Sequence, residues 1–142
     1  MILPDVNVLV YAFHRDAPRH REYKAWLDGA VVEEGLAVND IVLTGFVRIA
    51  TNPRVFSDPA PTPVALELVD RIRDARRTQW LAPTPEVWER FARIVDADTM
   101  VRGNLVPDAW LAALALAHGA RLATADRGVA RYEGLDWFTP VS

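Results

Sequence analysis

The chain has 142 residues, 51% hydrophobic and 25% charged, enough to bury one substantial core and too few for two typical domains, so a single domain over residues 1–142 is expected. Its net charge of −3 excludes a protein that grips nucleic acid through a general basic field, but not an enzyme whose bound cations reverse the sign of an acidic pocket. The lack of cysteine excludes a disulfide framework, a thiolate zinc site and a cysteine nucleophile, and with no basic start or long apolar run the expected location is the cytoplasm, away from membranes.

Ile2 to Pro4 reads as a short strand, and Val6 to Phe13 as the helix that follows it. Tyr23, Trp26, Leu27 and Ala30 fall at helical spacing and predict an amphipathic helix ending near Gly29 to Val31. Leu36 to Val38 is the next strand. Asn39 or Asp40 caps a helix with Val42, Phe46 and Ile49 on its buried stripe, ending before Asn52-Pro53. Four prolines between Pro53 and Pro63 predict a surface loop. Thr62-Pro63 then opens a helix whose inner residues are Ala65, Leu68, Val69 and Ile72. Arg71, Arg73, Arg76 and Arg77 on its outer side read as a solvated face.

Gln79 to Ala82 reads as a strand, and Thr84-Pro85-Glu86 starts a helix bearing Val87, Trp88, Phe91, Ile94 and Val95. Trp26, Trp88 and Trp110 lie on apolar stripes and are expected in the core. Pro107 to His118 is apolar on nearly every side and stops at Gly119, which predicts a buried helix. Arg121 to Thr124 is a strand, Asp126-Arg127-Gly128 a turn into a short helix, and Leu135 to Phe138 a last strand. Strands alternating with helices imply an α/β fold: a central parallel sheet of about four to five strands, covered by helices on both faces.

In such a sheet ligands gather beyond the carboxyl ends of the strands. Asp5 ends the first strand, Asp126 follows the strand Arg121 to Thr124, and Asp108 lies in the first turn of the buried helix. Each has another reading when taken alone: a turn residue, a helix-dipole partner, a cap. If they meet, they repel unless a cation joins them, and oxygen-only ligands favour Mg²⁺ or Mn²⁺ over zinc. Such an ion suits phosphodiester hydrolysis. His14, His20 and His118 lack ligand spacing and read as structural or surface residues. No phosphate-cradling glycine loop, dinucleotide fingerprint or nucleophile elbow is present.

The opening Pro4-Asp5-Val6-Asn7-Val8-Leu9-Val10-Tyr11-Ala12 resembles the start of PIN-domain ribonucleases, in particular the VapC toxins of bacterial toxin–antitoxin pairs. Gly103-Asn104-Leu105-Val106-Pro107-Asp108-Ala109 and Ala123-Thr124-Ala125-Asp126-Arg127 resemble that family's third and fourth acidic motifs. Arg48-Ile49-Ala50-Thr51-Asn52-Pro53-Arg54-Val55-Phe56 resembles a segment of one VapC branch. The resemblance implies a PIN-like fold and a Mg²⁺ site built from Asp5, Asp108 and Asp126, with Asn7 and Thr124 as supporting groups. It further implies an endoribonuclease, a homodimer, an RNA substrate and a VapB-like antitoxin.

Arg48 and Arg54 flank the loop expected to approach the pocket and are the candidate RNA or antitoxin contacts. The sequence departs from the family at Gly45, near where a glutamate usually stands. Asp40 lies a turn or more upstream and is not taken as a ligand. The departure motivates an alternative, a PIN-like scaffold with weakened catalysis. DNA flap cleavage ranks last, because the chain lacks the extra length of a flap-threading element.

Overall fold

The computed structural model describes residues 1–142. Strand β1 (Ile2–Pro4) leads into helices α1 (Val6–Phe13) and α2 (His20–Glu33). Strand β2 (Ala37–Val38) follows, then α3 (Asp40–Ala50), α4 (Thr62–Asp74) and β3 (Gln79–Trp80). Helices α5 (Pro85–Ala97) and α6 (Val106–His118), strand β4 (Arg121–Ala123), a 3-10 helix at Arg127–Arg131 and β5 (Trp137–Phe138) complete the chain.

The boundaries follow local chemistry. Asn39 caps α3 by accepting the Ile41 N–H at 2.9 Å, and its own amide donates to the Leu81 carbonyl at 3.0 Å. One buried side chain thereby starts a helix and holds the end of β3. Proline lies in the first turns of α4, α5 and α6, where a missing N–H costs nothing. Gly119 stops α6 in the left-handed conformation, φ 64°. Helix α2 runs through Gly29 to Glu33, slightly beyond its expected end, because Ala30 and Val31 remain on the buried side.

All strand pairs are parallel. β4 lies between β1 and β5, with Leu3 opposite Leu122 and Leu122 opposite Trp137. β2 pairs with β3 in a second ladder, tied to β1 by a single bridge between Ile2 and Leu36. The spatial order is thus β3-β2-β1-β4-β5, although the expected single sheet is interrupted on one side of β1. Proline is the reason. Met1 and Asp5 bond toward β4, so by alternation Ile2 and Pro4 face β2, where Pro4 has no N–H to extend the ladder.

Right-handed crossovers place α1 to α4 on one face and α5 and α6 on the other. The packing agrees: α1 contacts α2 and α3, α3 contacts α4, and α5 contacts α6. A core of 36 buried residues joins these layers. Trp110 is 7% exposed, as expected, and Trp26 is half-buried with its edge toward Phe138. Trp88 corrects the sequence reading. It is 56% exposed, because Val87 and the half-buried Phe91 and Ile94 hold the inward stripe of α5 while Trp88 lies over Phe91 and Trp110 from outside. The arginine face of α4 is solvated: Arg71 pairs with Asp28 at 2.6 Å and Arg73 with Asp70 at 3.6 Å.

Phe46 is fully buried and meets Phe13 edge to face across the α1–α3 contact, with centroids 5.2 Å apart. Phe46→Ala is expected to lower unfolding free energy by about 3–5 kcal/mol, measured by urea denaturation. An exposed substitution such as Trp88→Ala should cost far less.

Candidate metal centre

Chain connections leave β1 toward β2 and arrive at β4 from the opposite face, so the carboxyl ends of β1 and β4 form the sheet's switch point. Asp5 stands there as N-cap of α1: Oδ1 accepts the Val6 N–H at 2.7 Å, while its backbone N–H donates to the Ala123 carbonyl at 2.8 Å. Asp126 caps the 3-10 helix by accepting the Gly128 N–H at 2.8 Å. Asp108 lies in the first turn of α6. All three line one cavity of about 660 Å³.

The fully buried Thr124 joins these parts. Its hydroxyl donates to Asp5 Oδ2 at 2.7 Å and accepts the Asp126 N–H at 3.1 Å. A longer contact of 3.4 Å brings the Asn7 amide to the same oxygen, and Asn7 Oδ1 accepts the Ala125 N–H at 3.2 Å. Asn7 and Thr124 therefore fix the backbone on which Asp5 and Asp126 stand.

Burial raises the Asp5 pKa, and the charge of Asp126 adds to this, against the lowering effect of Thr124 and the Val6 N–H. Asp108 is pushed up to about 6, first by burial and then by the charges of Asp5 and Asp126. The carboxylates thus feel one another, yet no set of three or more acidic or histidine side chains is gathered tightly enough to chelate an ion unaided. An ion held here would need to keep several waters between few carboxylate ligands, as Mg²⁺ does. The oxygen-only donor set fits the same class of ion.

The histidines are committed elsewhere: His14, His20 and His118 each lie 2.8 Å from a backbone carbonyl, of Asp58, Tyr11 and Ala82 respectively, to which the ring N–H donates. Arg48 and Arg54 are exposed and do not line the cavity, although Ile49, Val55, Phe56 and Ser57 from the same segment do. Asp40 lines a separate hollow. Gly45 lies against α1; a Cβ there would stand 3.0 Å from Val6 Cγ2, so the absent side chain permits close approach of α3 and α1. Asp16 also lines the cavity. Sequence spacing carries no sign of it, since its place depends on the turn after α1.

The PIN-domain family model matches residues 2–135. The chain is 39% identical to Ribonuclease VapC43 of Mycobacterium tuberculosis over 142 residues, covering 99% of this chain and 96% of that protein. Ribonuclease VapC31 of the same organism is 31% identical, with 99% of each chain covered. Among solved structures, VapBC2 from Rickettsia felis, bound to a DNA fragment from their promoter, superposes with a TM-score of 0.68 at 18% identity, covering 98% of each chain. FitAcB from Neisseria gonorrhoeae gives 0.66 at 22% identity, covering 99% of this chain and 98% of that one.

The Asp108 shift has a definite sign. Between its ordinary value of 3.8 and about 6, the folded chain binds more protons than the unfolded one. Stability therefore falls as pH rises through that window, and the penalty stays constant above it. Undiluted, the shift equals about 3 kcal/mol; Asp108 is partly exposed, and solvent reduces this to on the order of 1 kcal/mol. In EDTA at pH 7.5, Asp108→Asn is expected to stabilise the protein by about that amount, with the gain vanishing near pH 3.5. Chemical denaturation at both pH values measures it; an equal effect at both would contradict the electrostatic origin.

Proposed function

The chain belongs to the PIN-domain family, with VapC ribonucleases among its relatives, and we propose that it is a Mg²⁺-dependent endoribonuclease acting as the toxin of a toxin–antitoxin pair. The observation that carries this reading is the meeting of Asp5, Asp108 and Asp126, far apart in sequence, on one cavity at the switch point of the sheet. These three carboxylates would hold Mg²⁺, with Mn²⁺ able to replace it. When bound, the ion lowers the pKa of an attacking water and neutralises charge on the phosphate.

The protein's own part is positioning. Asp5 keeps free lone pairs on both oxygens after bonding Val6 and Thr124, so it can hold an ion without losing its cap. Thr124 couples Asp5 to the Asp126 backbone, and Asn7 holds the Ala125 amide that leads into it. Half-burial of Asp5 and Asp108 excludes part of the solvent and strengthens their pull on a cation. Exposed Arg54 adjoins the cavity-lining segment 55–57 and exposed Arg48 adjoins the cavity-lining Ile49, where a phosphate backbone or an acidic antitoxin segment would pass.

The partners in this reading are RNA, a VapB-like antitoxin and a second copy of the chain, and the location is the bacterial cytoplasm. The relatives' names support the ribonuclease assignment, and the likeness to VapBC2 supports the antitoxin. No helix is long and apolar enough to cross a membrane. Gly45 favours a second reading, a binding scaffold of reduced activity, since no carboxylate is supplied at the α3 position beside Val6.

Purified protein is expected to cleave structured RNA in Mg²⁺, to stop in excess EDTA and to recover with Mn²⁺. Asp5→Asn, Asp108→Asn or Asp126→Asn should each reduce the rate on the order of 100-fold or more. Cleavage undiminished by EDTA and by Asp108→Asn would sink the mechanism. Thr124→Val should weaken Mn²⁺ binding or activity by roughly 10- to 100-fold, read by calorimetric titration and initial rates. Under the scaffold reading, no saturable, Asp5-dependent Mn²⁺ binding would be seen.

A further inference from the structure

The cavity that contains the carboxylates is larger than a metal ion requires. At about 660 Å³ it falls within the roughly 300–1,000 Å³ of pockets that enclose organic ligands. A cation with its retained waters, at about 30 Å³ each, fills on the order of 200 Å³. Much of the remaining wall is apolar, formed by Val10, Tyr11, Ala17, Ile49, Val55 and Phe56. This wall lines the same cavity as the carboxylates, so groups next to a phosphodiester held at the acidic end have an apolar side to occupy.

Phe56 is held as a flat surface. Its ring stacks on His14 with centroids 3.7 Å apart and planes within 2° of parallel. His14 is buried and anchored at both nitrogens: Nε2–H donates to the Asp58 carbonyl at 2.8 Å, and Nδ1 accepts the Asp16 N–H at 3.1 Å. The Asn52 carbonyl accepts from Val55 and Phe56 at 3.0 and 3.1 Å, which fixes the loop. A ring already ordered loses little entropy on stacking with a ligand.

The same histidine fixes the backbone of Asp16, an exposed residue that lines the cavity and forms no salt bridge. An ionised carboxylate only accepts hydrogen bonds, so it discriminates in favour of a base edge rich in donors. Guanine offers adjacent N1–H and N2–H donors; uracil offers one ring N–H flanked by carbonyls. Ser57 adds a hydroxyl able to donate or accept.

We propose that the apolar end of the cavity is a nucleobase subsite in which an unstacked base beside the scissile phosphate lies on Phe56 and Asp16 selects guanine. This rests on the ribonuclease reading of the acidic end. Base stacking on an aromatic ring tolerates any base, so the two residues divide the work: Phe56 contributes affinity and Asp16 contributes preference.

The test is fluorescence anisotropy of two labelled hexaribonucleotides, one with a single guanosine among uridines and one all uridine, in Ca²⁺. Wild type is expected to bind the guanosine oligomer roughly tenfold more tightly. Phe56→Leu, which keeps the apolar volume, should weaken both by roughly tenfold, and Phe56→Tyr should restore them. Asp16→Asn should erase the difference while leaving the all-uridine affinity unchanged. Circular dichroism melts confirm folding, and the thermal shift on adding Mn²⁺ should be the same in all these variants.

If Phe56→Leu and Asp16→Asn bind both RNAs as wild type does while the Mn²⁺ shift persists, the subsite is overturned and the metal reading stands. If wild type binds neither RNA and shows no Mn²⁺ shift, the underlying nuclease reading fails and the subsite fails with it.

Discussion

The mutual repulsion of Asp5, Asp108 and Asp126, three of the four aspartates that line one half-dry cavity, is the constraint around which the rest of the site is arranged. The fold offsets two of them locally: Asp5 receives the Val6 N–H and the Thr124 hydroxyl, and Asp126 receives the Gly128 N–H. Asp108 has no such partner and relies on the N-terminal end of α6 alone. Burial first, then the charges of Asp5 and Asp126, displace its carboxyl to about 6. A site with every carboxylate fully satisfied by protein donors would have little left to offer a cation. Asp108, with no hydrogen-bond partner, is thus the carboxylate left least satisfied by the protein.

Much of the fold was legible because its signals are local. Asn39 before α3, prolines in the first turns of three helices and Gly119 after α6 each specify a boundary through their own backbone chemistry. The interruption beside β1 was equally local in cause, but reading it required knowing which neighbour Pro4 faces. Trp88 was misread because helical spacing defines a stripe without its centre: a residue one position from Val87 satisfies the same pattern and lies outside.

The site was less legible than the fold. Spacing alone left Asp5, Asp108 and Asp126 with ordinary turn and cap readings, and two of them do serve as caps. Capping and facing the cavity are compatible because a carboxylate has lone pairs enough for both. Asp16 and Phe56 could not be read from sequence. Their positions depend on His14, whose two ring nitrogens and one ring face reach the turn after α1 and the loop after α3 together. That relation spans 44 residues, and no residue type announces it.

Helix α1 explains why the acidic and apolar ends form a single cavity. Asp5 caps it, and Val6, Asn7, Val10 and Tyr11 line the cavity along one side, while Val8, Leu9 and Ala12 enter the core. One turn separates Asn7 from Tyr11, a rise of roughly 6 Å, comparable to the reach from a nucleotide's phosphate to its base. Gly45 lets α3 close against Val6, and α3 in turn carries Ile49 to the opposite wall. A bulkier residue at 45 would press on Val6, where a Cβ alone would already stand 3.0 Å from Cγ2. The glycine therefore keeps α3 close-packed on α1 at the cost of any side chain at that position.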